Sequence, residues 1–385
     1  MAPKVFYSVG QPLNRGGMGS IGWHAARALL RAGRLAAVAA TEVGAAGSLA
    51  TFARGMPWAL RKGLAALNRL GAHHAHDAAF DRWVAPQIEK GTDFYGWMNL
   101  SRACLAACRK GEGRSFVERG SVEPHLQRHW LREEYARFGI LLDPMSARTV
   151  ERMVAEASEA DLVVVPSRLV AKSYLDAGYP SEKLRVNPLG VESAHYRPAQ
   201  TPRRNEGFRL AFVGQLSIQK GLPDLLAAWT RVAGRRETLL LAGVIPAVER
   251  APIEAALRRA RRVEALGHCR DVAGLLARCD ALVLPSAQDG FGLVVLEAMA
   301  CGLPVLVSDR VGAADCVVDG KNGWIFPFGK GDALIARLEE LIAMPSRATE
   351  MGAAAQETAR RHSWEAYGRR LVEIVEGGRE EVRCT

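Results

Sequence analysis

Two strand–glycine loop–helix runs, one at the start of the chain and one past its middle, constrain the fold more than any other feature. In the first, the apolar strand Lys4–Val9 leads into GQPLNRGGMGSIG, then the helical stretch WHAARALLRAG, then a strand at Leu35–Ala40. In the second, Leu210–Val213 leads into GQLSIQKG, then LPDLLAAWTRVAG, then a strand at Leu239–Ala242. Short apolar strands alternating with helices predict parallel sheets covered on both faces. Further strands are expected at Ser115–Glu118, Leu162–Val165, Ala281–Leu284 and Pro304–Val307. Helices are expected over Pro166–Gly178, Ala255–Arg262 and the amphipathic SWEAYGRRLVEIVE. The Pro-, Gly- and polar-rich stretch NPLGVESAHYRPAQTPRRNEG separates the two series as a linker. A length of 385 residues suits two domains. The expectation is therefore an α/β chain of two doubly wound domains, residues 1–200 and 206–362. The final helix, about 363–378, is a candidate to pack back on the first domain. Ligands of such sheets bind beyond the carboxyl ends of the strands, so the cleft between the domains is the default site.

Composition narrows the class. Hydrophobic residues make up 49% and no long uncharged apolar run occurs, so large cores and no membrane span are expected. The N-terminus, MAPKVFYSVG, enters a strand pattern at once and does not read as a signal peptide. The seven cysteines include no C-x-x-C pair, and Cys104 and Cys108 lack the companions of a zinc site. These features fit a reduced, cytoplasmic protein with structural thiols. Of the net charge of +10, residues 1–200 carry +8, from 26 Lys+Arg against 18 Asp+Glu. Only 9 of the 51 basic residues are Lys, so an Arg-rich coding bias accounts for the excess as well as an anionic partner does.

The stretch QDGFGLVVLEAMACG, Gln288–Gly302, carries an acid at its head, Asp289, and a second, Glu297, inside an otherwise apolar helix. Gly290 and Gly292 let backbone approach a ligand at the helix start, where free N–H groups bind an anion. A carboxylate at Glu297 can accept two hydroxyls of a vicinal diol such as ribose. The bland alternative makes Asp289 a helix cap and Glu297 the partner of a structural arginine. In Gly214–Gly221, Lys220 can place a point charge on phosphate or stand as a solvated surface lysine.

Four motifs in order resemble those of the retaining glycosyltransferases of family four, which have the GT-B fold. FVGQLSIQKG resembles that family's G-R-L-x-x-x-K-G loop. CDALVLPSAQDGFGLVVLEAMACGLPVLVSD resembles its E-G-F-G-x-x-x-x-E segment and the strand that follows. DGKNGWIF resembles its D-G-x-N-G-x-L hairpin, and YPSEKLRVNPLGVESAHYRP its linker. The resemblance covers about Asp161–Gly331; PLNRGGMGS and FVERGS extend it loosely into the first half. It implies that Lys220 neutralises a donor diphosphate and that Glu297 binds the ribose. It implies that Asp289, with the backbone of Gly290, Phe291, Gly292 and Leu293, faces the donor sugar. Gly17 and Gly16 would approach the phosphate from the other domain, and His125 would be the N-domain histidine near the sugar. The chain departs from the pattern at Gln215, where the family carries Arg, and at Asp289, where it carries Glu. Arg15, Arg119 and Arg270 are candidates to replace the missing charge. No D-x-D pair occurs, so no metal-bridged diphosphate and no bound cofactor are expected. The co-substrate would be a UDP- or GDP-sugar. The resemblance implies transfer with retention by front-face attack, onto a saccharide or lipid-linked acceptor.

Other stretches stay open. Phe52–Gly71 reads as a basic amphipathic helix suited to an anionic membrane surface, at the inner face of the cell membrane, or as an ordinary surface helix. The HHAH cluster, His73–His76, reads as loop. Gly17-Met18-Gly19-Ser20-Ile21-Gly22 is a literal G-x-G-x-x-G with Glu42 twenty residues beyond its third glycine, which keeps a nicotinamide oxidoreductase as a rival. A non-catalytic nucleotide-sugar binder is a second rival. No motif or aromatic–basic interleaving points to nucleic acid.

Overall fold

The computed structural model describes residues 3–44, 46–62, 73–141, 143–199, 207–343 and 345–378. Its first sheet has seven parallel strands: β1 Val5–Ser8, β2 Leu35–Ala40, β3 Ala53–Gly55, β4 Asp93–Trp97, β5 Ser115–Glu118, β6 Leu162–Val165 and β7 Leu184–Val186. Their spatial order is β3-β2-β1-β4-β5-β6-β7. The second sheet has six: β8 Arg209–Val213, β9 Thr238–Ala242, β10 Val263–Gly267, β11 Ala281–Leu284, β12 Val305–Ser308 and β13 Gly323–Phe326. Their order is β10-β9-β8-β11-β12-β13. In each sheet the order reverses beside the first strand of the series, β1 or β8, which is the switch point where a ligand crevice opens. Strands such as VFYS, LVVV and ALVL are buried almost throughout because helices cover both faces.

The final helix, Trp364–Val375, leaves the second sheet and packs on helix Gly16–Arg31 of the first. Trp364 stacks on His24 with centroids 4.2 Å apart, and a methyl on Gly368 would meet Ala28 Cβ at 2.7 Å. A second crossing ties the halves. Helix Pro124–Arg137 belongs to the first half, yet Tyr135, Phe138 and Ile140 pack against the core of the second. Tyr135 Oη donates to Glu249 Oε1 at 3.1 Å, Arg137 pairs with Asp224 at 3.0 Å, and the Arg310 guanidinium lies 4.3 Å from the Trp130 ring centroid.

Several expectations need correction. Phe52–Gly71 does not open as a helix: Ala53–Gly55 is an edge strand parallel to β2, and Met56 N donates to Ala40 O. Pro57 holds Met56 extended, so helical backbone begins only beyond it, at residues 58–62; residues 63–72 lie outside the described residues. His73–His76 is not loop but opens helix His73–Val84. The side chains of residues 73–75 lie outside the described residues. The helix expected at Ala255–Arg262 runs over Arg250–Arg259, because Arg262 takes φ 56° and turns the chain into β10. The sequence pattern places a helix over Phe291–Ala300, but it starts two residues later, at Leu293, since Gly292 at φ 83° is left-handed and cannot join it.

Candidate active site

A cavity of about 320 Å³ lies between the halves, beyond the carboxyl ends of both sheets. Trp97 and Glu118 end β4 and β5 on one side; Val213 and Leu284 end β8 and β11 on the other. Gly17 and Met18 bring the first turn of helix Gly16–Arg31 to it, and Leu293 and Val294 the first turn of helix Leu293–Ala300. Neither helix has a side-chain cap: their N-caps are Arg15 and Gly292, and no side chain takes the first N–H groups. By contrast, Glu123, Ser146, Ser167, Asp271 and Ser363 each cap their own helices elsewhere. Two helix starts with free N–H groups thus converge on one cavity, each carrying about half a positive charge from its aligned peptide dipoles.

Lys220 and Asp289 line the same cavity. Lys220 Nζ lies 2.5 Å from Asp289 Oδ2, and the side chains are 21% and 14% exposed. A half-desolvated ammonium beside two helix starts suits a diphosphate. Phe291 and Gly292 complete this wall. Glu297 does not line the cavity; it lies further along the same helix, on the face turned to the linker, where the Tyr196 phenol hydrogen-bonds it. Burial pushes its carboxyl above the usual range and that hydrogen bond opposes the shift.

Four predicted positions are not brought into the cavity, Glu297 among them. His125 is exposed and lines a separate surface groove with Arg128, His129 and Arg132. Glu123 caps this helix by accepting from Leu126 N at 3.0 Å, and Pro124 occupies its first position; the next side chain, His125, is turned outward. Gly16, at φ 65°, shapes the turn ahead of the helix but does not line the cavity. Gly290 packs against the facing domain, where a methyl would sit 2.0 Å from Gly120 O. Of the candidate replacement charges, Arg119 is spent: it is buried and bonded to Val122 O and Gln127 Oε1. Arg15 pairs with Glu42 at 3.7 Å, and Arg270 and Gln215 are exposed.

The structure adds groups that sequence reasoning missed. Gln288 is 1% exposed; its Nε2 donates to Ser121 Oγ at 2.6 Å, and its Oε1 accepts from Gln219 Nε2 at 3.2 Å. One amide therefore fastens both halves beside Asp289. Trp97 and Glu118 carried a signal that went unused, their place at the carboxyl ends of parallel strands. The G-x-G-x-x-G glycines have packing reasons: a methyl on Gly19 would strike Pro12 O at 2.1 Å, and one on Gly22 would strike Val9 at 2.7 Å. A larger groove of about 530 Å³, between helices Gly16–Arg31 and Trp364–Val375, holds none of the predicted groups. Among the described residues, no three His, Cys, Asp or Glu side chains cluster as metal ligands, and no helix is long and apolar enough to cross a membrane.

Comparison with known proteins bears on the fold and on the family resemblance. Residues 207–344 match the family described as glycosyl transferases group 1. The chain is 27% identical over 265 residues to the GDP-mannose-dependent alpha-(1-6)-phosphatidylinositol monomannoside mannosyltransferase of Mycolicibacterium smegmatis, covering 61% of this chain and 66% of that one. It is 30% identical over 254 residues to alpha-maltose-1-phosphate synthase of the same organism, covering 58% and 65%. The chain thus spans just under two thirds of these relatives' lengths. Among solved structures, Anabaena HepE in complex with UDP superposes with a TM-score of 0.71 at 20% identity, over 97% of this chain and 99% of that one. Sucrose-phosphate synthase of Thermosynechococcus elongatus superposes at 0.73 and 19% identity, over 97% and 98%. The chain has the GT-B fold of these glycosyltransferases, and its residues 207–344 match the model of the group 1 glycosyltransferases.

Proposed function

We propose that this protein transfers a sugar from a nucleotide diphosphate sugar, UDP- or GDP-linked, to a hydroxyl of a glycan or lipid-linked saccharide, with retention at the anomeric carbon and without metal. The observation that carries this is the convergence of Lys220 and two uncapped helix starts on one interdomain cavity. The donor's diphosphate lies against Lys220 and the N–H groups of Gly17, Leu293 and Val294. The ribose reaches Glu297 once Tyr196 yields its hydrogen bond. The sugar lies toward Asp289 and Phe291. As the anomeric C–O bond breaks, its electron pair goes to the leaving phosphate oxygen, whose negative charge Lys220 and the helix starts stabilise. The acceptor hydroxyl attacks from the same face and passes its proton to that oxygen.

A thermal-shift panel of UDP, GDP, ADP and NAD tests the class. At a nucleotide concentration of about 100 Kd, binding stabilises the fold by roughly 2.7 kcal/mol. We expect UDP or GDP to raise Tm by several degrees and NAD to leave it unmoved. A shift with NAD alone would install the oxidoreductase reading instead. Slow hydrolysis of the matching sugar donor then separates an enzyme from a binder.

An anionic membrane surface is the proposed second partner. Trp58 is 61% exposed and Leu60 37% exposed, and the Lys62 ammonium lies 4.2 Å from the Trp58 ring centroid. Exposed apolar rings beside basic groups suit an interface of acidic headgroups. Flotation with phosphatidylglycerol vesicles at low salt should carry the protein upward, and Trp58→Ala should leave most of it behind. A wild-type protein that stays at the bottom ends this part of the proposal.

A further inference from the structure

The floor of the cavity holds an acid for which the transfer chemistry has no use. Glu118 ends β5, is 3% exposed and lines the cavity with Trp97 and Gly120. Its neighbours are phenols. Tyr95 comes from β4, Tyr7 from β1, and Tyr367 from the final helix; all three are fully buried. Tyr367 Oη lies 3.4 and 3.5 Å from the two carboxyl oxygens. Trp97 Nε1 donates to Tyr7 Oη at 3.1 Å, so Tyr7 is oriented from the cavity side. Tyr95 Oη, also buried, bears on the same carboxyl. No cation stands within 4 Å of the carboxyl among the described residues. The nearest charges are committed elsewhere. Arg370, on the same helix as Tyr367, binds Asn187 Oδ1 and Pro188 O; Arg119 binds Val122 O; Lys220, across the cavity, binds Asp289.

A carboxyl in this setting is held neutral. Burial pushes its pKa up to about 8, against hydrogen bonds from Tyr95 and Tyr367 that favour the anion. A neutral carboxyl offers one O–H donor and one carbonyl acceptor, the pair that a sugar hydroxyl answers with its own acceptor and donor. The acid accepts from the buried Tyr367 phenol on one side and abuts the cavity that gathers Lys220 and Asp289 on the other.

We propose that Glu118, with the Tyr95 hydroxyl beside it, is a hydroxyl-recognition site that grips the sugar ring of the donor from the floor of the cleft. This rests on the donor reading above. It places sugar selection in the first half of the chain, with the final helix holding the acid in place through Tyr367.

The sign of the pH dependence follows. Below about pH 8 the acid is protonated and donates; above it the carboxylate has lost the donor and stands uncompensated. The sugar's contribution to affinity therefore falls as pH rises through that value.

Calorimetry on the full chain tests this with three matched pairs, UDP and UDP-glucose, GDP and GDP-mannose, ADP and ADP-glucose, at about pH 7 and pH 9.5. For the pair that binds, the ratio of the two Kd values isolates the sugar. In the wild type this ratio should shrink about tenfold between the two pH values, the worth of one buried hydrogen bond. In Glu118→Gln, which cannot ionise, the ratio should not change with pH. In Glu118→Leu it should be small at both, with nucleotide binding itself retained as proof of folding. A wild-type ratio independent of pH, or a Glu118→Gln ratio that falls like the wild type's, overturns the proposal alone. If none of the nucleotides binds, the donor reading fails and takes this site with it.

Discussion

Lys220→Ala should lower kcat/KM for the donor about a hundredfold and weaken nucleotide diphosphate binding about tenfold or more. A charge-assisted hydrogen bond contributes roughly 1.5–3 kcal/mol, and removing one donor aimed at developing oxyanion charge typically costs 10²–10³ in rate. The side chain is 21% exposed and its neighbour Gln215, at the place of the family's arginine, is neutral and exposed, so no second cation shares the load in that loop. One complication comes from Asp289. With Lys220 gone, a carboxylate that is 14% exposed loses its partner at 2.5 Å and stands in the cavity as an anion facing a diphosphate. Part of the loss would then be repulsion. The double variant Lys220→Ala/Asp289→Asn separates the terms, because residues in contact give non-additive effects. If the ammonium acts on phosphate, the double variant stays at least tenfold below Asp289→Asn alone. If Lys220 serves only to neutralise Asp289, the double variant and Asp289→Asn turn over alike, and the phosphate role is wrong.

The strands of both sheets that ended at loops with glycine were legible from the sequence, because apolar runs of four to six residues flanked by Gly and Pro have few other readings. The stretch Asp289–Glu297 was legible for the same reason: two glycines and two acids broke an otherwise buried pattern. Strands β3, β4, β7, β10 and β13 were not singled out. Strands β3, β7, β10 and β13 lie at sheet edges, and edge strands include charges, as in Arg185 and Glu264. The misplacement of His125 shows a different limit. A motif fixes which residues are near one another along the chain, but the cap at Glu123 decides which side of the helix meets the cleft. The place of Glu118 at a strand end was legible, but its surroundings were not: nothing in FVERGS says that Tyr7, Tyr95 and Tyr367, far apart in sequence, will surround it. The contact between Gly290 and Gly120 was equally out of reach, since it joins two domains whose separate folds are each complete without it.

That contact gives the second large effect. Gly290→Ala should reduce kcat about a hundredfold while leaving nucleotide diphosphate affinity within a few-fold of wild type. The added methyl would lie 2.0 Å from Gly120 O, 2.5 Å from Gly120 C and 2.9 Å from Ser121 Cα, all backbone atoms of the facing domain. No side chain can rotate away. Nor can Gly290 retreat, for its own carbonyl accepts from Ser167 Oγ at 2.9 Å and would be 1.9 Å from a methyl on Gly312 behind it. The segment is wedged, so the domains themselves must part by about 1 Å or more to reach van der Waals distance. Beside it, Gln288 would lose its bond to Ser121, 2.6 Å across the same seam. Lys220, the helix start at Leu293 and Glu297 all belong to the second half and move together, so their hold on the nucleotide survives. Glu118, Gly17 and the first helix start belong to the other half and move away from the sugar. A displacement of about 1 Å between reacting groups costs on the order of 10² in rate. Small-angle scattering should show the variant more extended than the wild type, and its melting should keep the cooperative unfolding of each half. A Gly290→Ala protein with wild-type kcat would mean that the halves work apart and that the closed seam at Gly120 is not the catalytic arrangement.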